Sequence, residues 1–181
     1  GWGGLSDAFE PNKDSWHSEY TELKSLLTEE EYAAARSSTL TAFYTPPEVI
    51  DAMYTTLRKM GVGAGTILEP SMGAGAFFGQ SHSYLYEPTT RLFGVELDSL
   101  TGRIARQLYQ KANIQITGFE KADLPDSFFD VVIGNVPFGD YSVVDPQYNR
   151  LHFKIHDYFF AKSIDKLRTG GIIAFITTSG T

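Results

Sequence analysis

The segment Asp130-Val131-Val132-Ile133-Gly134-Asn135-Val136-Pro137-Phe138-Gly139 places an amide, a proline and an aromatic ring directly after an apolar run of strand character. An Asn carbonyl and a proline-fixed backbone carbonyl can both accept hydrogen bonds from one planar NH2 group. Drawing both N–H bonds toward acceptors raises electron density on the nitrogen, and an aromatic face beside it can hold the ring that bears the amine. That arrangement suits methyl transfer to an exocyclic amine, in line with a sulfonium methyl. The bland alternative is a turn with a core Phe.

Three further segments fit around it. In Ile67-Leu68-Glu69-Pro70-Ser71-Met72-Gly73-Ala74-Gly75-Ala76-Phe77-Phe78 a strand runs into a glycine turn and a helix, where backbone amides can approach a ligand closely. A dinucleotide turn would carry a third glycine, but here that place is Phe78, and Glu69 would repel a phosphate. An acid there suits a cationic or amino-bearing ligand; a generic strand-to-helix turn is the alternative. In Leu92-Phe93-Gly94-Val95-Glu96-Leu97-Asp98, Glu96 lies about 20 residues past the turn, the place of a ribose-binding acid, while Asp98 suits a helix cap. In Gly118-Phe119-Glu120 the ring can flank an adenine and the acid can accept from its amino group; a core Phe and a solvated Glu are equally compatible.

These segments need a scaffold that brings strand ends together. The sequence predicts helices over 14–27 and 29–37, the second opened by a capping box at Thr28 and Glu31. A further helix follows Thr45-Pro46-Pro47-Glu48, with Thr45 as cap, Pro46 at the first helical position and Glu48 completing another capping box. Val49, Ile50, Met53, Leu57 and Met60 recur at helical spacing until Gly61. Beyond it the pattern predicts strand 66–70, helix 74–80, strand 91–96, helix 99–111, strand 113–117, strand 130–134, helix 153–168 and strand 171–177. Five strands with helices between several of them predict an α/β fold: a doubly wound, mostly parallel sheet with ligands at the carboxyl ends of its strands.

Composition bounds the function. At 181 residues, 42% hydrophobic and 14% aromatic, the chain can bury a core. With no cysteine, disulfide scaffolds, thiolate zinc sites and cysteine nucleophiles are excluded. No apolar run reaches the ~20 residues of a membrane span, and no basic-then-apolar signal opens the chain, so a cytoplasmic protein with no membrane partner is expected. The net charge is −7, but residues 1–36 hold 8 acids against 3 bases, so most of the surplus lies in an N-terminal arm. The remainder is near neutral, and charge alone neither supports nor excludes a DNA partner.

The order of these segments resembles the amino-methylating DNA methyltransferases of the gamma class. That family's Thr-Pro-Pro-Glu helix start, Glu-Pro-x-x-Gly-x-Gly turn and Val-Glu-x-Asp segment are matched by Thr45–Glu48, Glu69–Gly75 and Val95–Asp98. Its Asn-Pro-Pro-Tyr/Phe segment is matched by Asn135-Val136-Pro137-Phe138, with Val136 in place of the first Pro. Its last helix and strand are matched by Tyr158–Leu167 and Gly170–Ile176. The likeness runs from Phe43 to Ser179. More narrowly, Gly1-Trp2-Gly3-Gly4-Leu5 and Gly134–Gly139 resemble the methyltransferase-like part of large helicase-linked proteins of phages and conjugative elements.

The resemblance implies a Rossmann-like S-adenosylmethionine-dependent core over residues 43–181, truncated after its fifth strand, behind a helical arm over residues 1–42. It implies S-adenosylmethionine as cofactor and adenine in DNA as acceptor. Thr45 and the Gly73/Gly75 turn would border the methionine part of the cofactor, Glu96 would hold its ribose, and Phe119 and Glu120 its adenine, with Glu69 and Pro70 also cofactor-binding. Asn135 and Pro137 would polarise the target amine and Phe138 would stack on a flipped base. A linked helicase is the implied partner. Methylation of RNA or of a protein glutamine, and a non-catalytic cofactor-binding module, are the rival functions.

Other residues carry less. His152 and His156 have helical chelating spacing but no third ligand pattern. Lys162, Lys166 and Arg168 read as a solvated helix face, whereas Arg150 and Lys154 flank the catalytic segment and could meet phosphates. Tyr141 and Tyr148 either line a base channel or order the loop 139–151.

Overall fold

The computed structural model describes residues 4–39, 44–63, 65–84 and 89–178. Gly1-Trp2-Gly3, Ala64, and the ends of the family-like stretch, Phe43 and Ser179, lie outside them.

Strands β1 (Thr66–Glu69), β2 (Arg91–Glu96), β3 (Asn113–Ile116), β4 (Phe129–Asn135) and β5 (Leu167–Ile176) form a parallel sheet in the order β3-β2-β1-β4-β5. Alternation along the strands fills two cores. Ile67, Val131 and Ile133 meet Ile50, Tyr54 and Leu57 of helix α3 (Pro47–Lys59) and Phe77 of α4 (Ala76–Tyr84). Leu68, Val95 and Val132 meet Ile155, Tyr158 and Phe159 of α6 (Ile155–Lys166) on the opposite face. Helix α5 (Ser99–Leu108) joins the first face through Ala105 against Met72, Phe78 and Ile114. With both faces covered, β4 is apolar without alternation, and each of Val131, Val132 and Ile133 contributes about 1.5–3 kcal/mol by full burial. The expected doubly wound architecture is therefore observed.

At the N-terminus, α1 (His17–Leu26) and α2 (Glu29–Ser38) pack Phe9, Tyr32 and Ala35 into a small core. Helix α2 opens on the predicted capping box of Thr28 and Glu31. It rests on α5, where Glu31 pairs with Arg103.

Several element boundaries differ from expectation for local reasons. The first turn of the 14–27 helix is a 3-10 turn over Asp14–Trp16. Helix α3 starts at Pro47, not Pro46: Pro46 is extended (φ −56°, ψ 140°), because a residue before proline is kept out of the helical region, and no side chain caps it. The second capping box is therefore absent. Helix α4 starts at Ala76 because Gly73 (φ +54°) and Gly75 (φ +85°) are left-handed. Helix α5 ends at Leu108, where Tyr109 leaves helical geometry and donates its hydroxyl to the Gly75 carbonyl at 2.6 Å. Helix α6 passes directly into β5, whose register shifts between Phe129 and Val131.

Candidate active site

The sheet order reverses between β1 and β4, and ligands of open α/β sheets bind in the crevice beyond such a switch point. Here Glu69 ends β1 and Asn135 ends β4. The Ser71 hydroxyl donates to the Asn135 carbonyl at 2.9 Å, joining the glycine turn to the segment after β4. Above them opens a cavity of about 340 Å³. Of the predicted site residues, Thr45, Glu69, Pro70, Gly73, Glu96, Phe119, Glu120, Asn135, Pro137 and Phe138 line it; Gly75 does not.

The turn is built around Glu96. One carboxylate oxygen accepts the Gly73 amide at 2.8 Å and the other the Asp98 amide at 2.7 Å, while the Met72 amide bonds the Val95 carbonyl. A side chain on Gly73 would meet nothing within 4 Å, so its bare Cα opens onto the cavity. Gly75 has another role: a Cβ there would strike the Tyr109 ring and Met72, so it lets the turn pack on α5. Asp98 caps α5 through one oxygen, which accepts from the Thr101 amide at 3.0 Å. Its other oxygen is buried without a partner. The Glu120 carboxylate folds over Gly118, where a Cβ would collide with it.

This end of the cavity gathers acidic groups. Burial pushes the Glu69 carboxyl well above the ordinary carboxylate range, and the Glu96 charge pushes it further. Burial also raises Glu96, against the lowering effect of its two backbone amide bonds. One Glu69 oxygen is buried and has no partner among the described residues. Such a group is waiting for a donor or a cation.

At the other end, the Asn135 side-chain oxygen is likewise buried with no partner among the described residues, while the ring of Phe138 stands at the rim, 38% exposed. Val136 occupies the place of a proline, and the structure gives it work a proline cannot do. Its amide donates to the Ile176 carbonyl at 3.3 Å, and its side chain is buried against the α6 core. The following loop brings Tyr141 and Val143 to the cavity. It closes on itself through the Ile155 amide to the Tyr141 carbonyl (2.8 Å) and the Ser142 hydroxyl to the Phe153 carbonyl (2.7 Å). Tyr148 is buried and donates to Asp165 at 2.5 Å, so it orders the loop.

Two of the expected surface lysines are a correction. Lys162 and Lys166 are buried, paired with Asp145 at 3.0 Å and Asp126 at 2.6 Å, because α6 turns them under the polypeptide instead of outward. Arg150 and Lys154 are exposed, Lys154 near Asp140 at 3.1 Å. His152 is exposed and left-handed, His156 is buried, and among the described residues no cluster of three His, Cys, Asp or Glu could hold a metal. The sequence reading missed Ser71 and Thr101, both polar and next to a motif, and Ala34 and Ser38 of α2, which line the cavity without any local signal. No helix among the described residues is long and apolar enough to cross a membrane.

The five-stranded parallel sheet in this order is the Rossmann-like fold that the chain shares with S-adenosylmethionine-dependent methyltransferases. The methyltransferase subunit of a type I restriction-modification system from Streptococcus thermophilus superposes with a TM-score of 0.64, at 21% identity over 90% of this chain and 39% of that one. The plantazolicin methyltransferase BpumL, solved with SAH, superposes with a TM-score of 0.52 at 12% identity, over 95% of this chain and 56% of that one. Both likenesses are of fold. Within that class, residues 26–181 match the family described as N-6 DNA Methylase, and the chain belongs to it. Defense against restriction protein B of Escherichia phage P1 is 30% identical over 139 residues. Those residues are 74% of this chain but 6% of the phage protein, so the chain spans a small part of that relative's length.

Proposed function

We propose that this chain transfers a methyl group from S-adenosylmethionine to the exocyclic amine of adenine in DNA. One observation carries the reading: the side-chain oxygen of Asn135, buried and without a partner among the described residues, stands at the switch point, across from a cavity end lined by the carboxyl groups of Glu69 and Glu96. Family membership and the phage relative support it.

The residues present fit the cofactor. The orphaned oxygen of Glu69 can accept from the cofactor's ammonium, and a bound cation would draw this buried carboxyl toward its ionised form. Ribose hydroxyls suit Glu96, since a carboxylate that accepts two amides still has lone pairs to offer. Phe119 and Glu120 would hold the adenine ring and its amino group, Thr45, Pro70 and Gly73 would border the methionine part, and Gly75 would shape the turn. When bound, S-adenosylmethionine would supply an electrophilic methyl group, leaving as the neutral thioether, while the proton lost by the amine would pass to solvent. Asn135 and Pro137 draw the target N–H bonds toward acceptors, and Phe138 offers its face to the flipped base. The exposed Arg150 and Lys154 stand beside this segment for phosphates. The finer parts of the proposal, a linked helicase and action in the cytoplasm, rest on the resemblance to helicase-linked proteins and on DNA as substrate.

Calorimetric titration of the chain with S-adenosylmethionine tests the cofactor half, with Glu96→Ala as control. Saturable binding lost in the control is expected. Labelled-methyl transfer by the intact protein to duplex DNA, RNA and protein then tests the acceptor, with adenine in DNA expected. A folded chain that binds no cofactor, or an intact protein that prefers RNA or protein, would overturn the reading.

A further inference from the structure

Neither Lys162 nor Asp145 lines the cavity, yet together they touch both of its ends. The Lys162 ammonium donates to the Asp145 carboxylate at 3.0 Å and to the Glu120 carbonyl at 3.2 Å, and lies 5.3 Å from the centre of the Phe119 ring. Phe119 and Glu120 line the end assigned to the cofactor adenine. Asp145 belongs to the loop that follows the Asn135–Phe138 segment and carries Tyr141 and Val143 to the cavity. It also accepts from the Tyr158 hydroxyl at 2.8 Å and the Gln147 amide at 3.1 Å, and its own amide bonds Asn149. Both side chains of the pair are under one-tenth exposed.

A buried ion pair is a weak source of stability, because desolvation offsets most of the attraction. It is a strong constraint on geometry, since neither charge can be left alone there. Burial raises the Asp145 carboxyl, but the bonds from Tyr158, Lys162 and Gln147 outweigh it and hold the group below the ordinary carboxylate range. The charge is therefore present near neutral pH. One ammonium thus fixes the main chain of the adenine-side turn and the anchor of the acceptor-side loop.

We propose that Lys162 and Asp145 are a positioning pair that couples occupation of the adenine end of the cavity to ordering of the loop after the Asn135–Phe138 segment. The inference rests on the cofactor reading above and assigns that coupling to two residues outside the cavity lining. Ordering one end lowers the conformational cost of ordering the other.

The test is hydrogen exchange in residues 139–154 of the intact protein, with and without S-adenosylmethionine, beside calorimetric affinity and the turnover number. In the wild type, cofactor should slow exchange in this loop. In Asp145→Asn, which keeps shape and most hydrogen bonds, the loop should exchange faster and cofactor should no longer slow it. Affinity and turnover should each fall about tenfold or more. Lys162→Arg, which keeps charge and donors, should recover part of each effect, whereas Lys162→Met should not. A folded Asp145→Asn protein with wild-type affinity, turnover and cofactor-dependent protection would overturn the proposal. A wild type that binds no cofactor would instead overturn the cofactor reading, and the proposal with it.

Discussion

The two ends of the cavity are built by different means. At the glycine-turn end, a strand-end carboxylate meets main-chain amides: Glu96 holds Gly73 and Asp98, and Met72 pairs with Val95. At the loop end, side chains hold other side chains, as in Asp145 with Lys162 and Tyr148 with Asp165. Backbone bonding tolerates many sequences, provided that glycine stands where φ is positive. A buried side-chain network tolerates few, because losing one member leaves another unpaired. The glycine-turn end should therefore answer to substitution mainly in affinity and the Asn135–Phe138 segment mainly in rate, while the Lys162–Asp145 pair that joins the two sides should move both.

The largest effect that would sharpen this contrast belongs to Asn135. Its buried side-chain oxygen has no partner among the described residues, so Asn135→Ala breaks no hydrogen bond to that atom there. Labelled-methyl transfer should fall about 10²–10³-fold, the usual range for deleting one polar group that stabilises a transition state. Cofactor affinity should stay within about threefold. Equal losses in rate and affinity would erase the distinction between the two ends.

Glu69 should give the next effect, with opposite signs for stability and binding. Its folded pKa is raised by burial above the unfolded value, so the folded state holds a proton that the unfolded state releases. Its contribution to stability is fully present below the unfolded pKa and is lost as pH rises toward the folded one. Glu69→Gln abolishes that loss. Without cofactor, the variant should melt about 2–4 °C or more above the wild type at pH 8, with the gap closing near pH 4, by scanning calorimetry. With a cationic cofactor the order should reverse, because the buried counter-charge is gone, and affinity at pH 8 should fall about tenfold. Wild-type affinity should weaken as pH falls and Glu69 takes up its proton.

Val136→Pro tests a smaller effect at the join between β4 and the loop. It deletes the amide bond to Ile176 and part of a buried side chain, so the melting temperature should drop about 2–4 °C. If transfer rises despite that loss, a first proline would stiffen the segment more than the β5 bond does.

The contrast also explains what could be read beforehand. The sheet, its five strands and the placing of most expected site residues at the cavity were legible because each motif lies within a few residues of the strand end that presents it. Glu96 and Asp98 reveal themselves by spacing from the glycine turn and from α5. The N-cap of α3 was misplaced by one residue because two prolines compete for the first helical position and the second wins. Lys162 and Lys166 were misread because helical periodicity marks which residues share a face, not whether a loop from elsewhere will cover it. Ser71 and the α2 residues Ala34 and Ser38 escaped because proximity to the cavity arises only on folding.

The smallest effect concerns that last wall. Helix α2 brings Ala34 and Ser38 to the cavity, and the ion pair of Glu31 with Arg103 joins it to α5. The pair is largely solvent-exposed on the Arg103 side, where such contacts contribute little. Glu31 is also held independently: the Thr28 backbone bond is the first cause of its lowered pKa, ahead of the Arg103 bond. Arg103→Ala should therefore leave the capping box and the packing of Tyr32 and Ala35 in place, and weaken cofactor binding less than about threefold by calorimetry. A tenfold loss would mean that the arm belongs energetically to the glycine-turn end, and that a wall with no local sequence signal contributes to affinity as much as the carboxylates do.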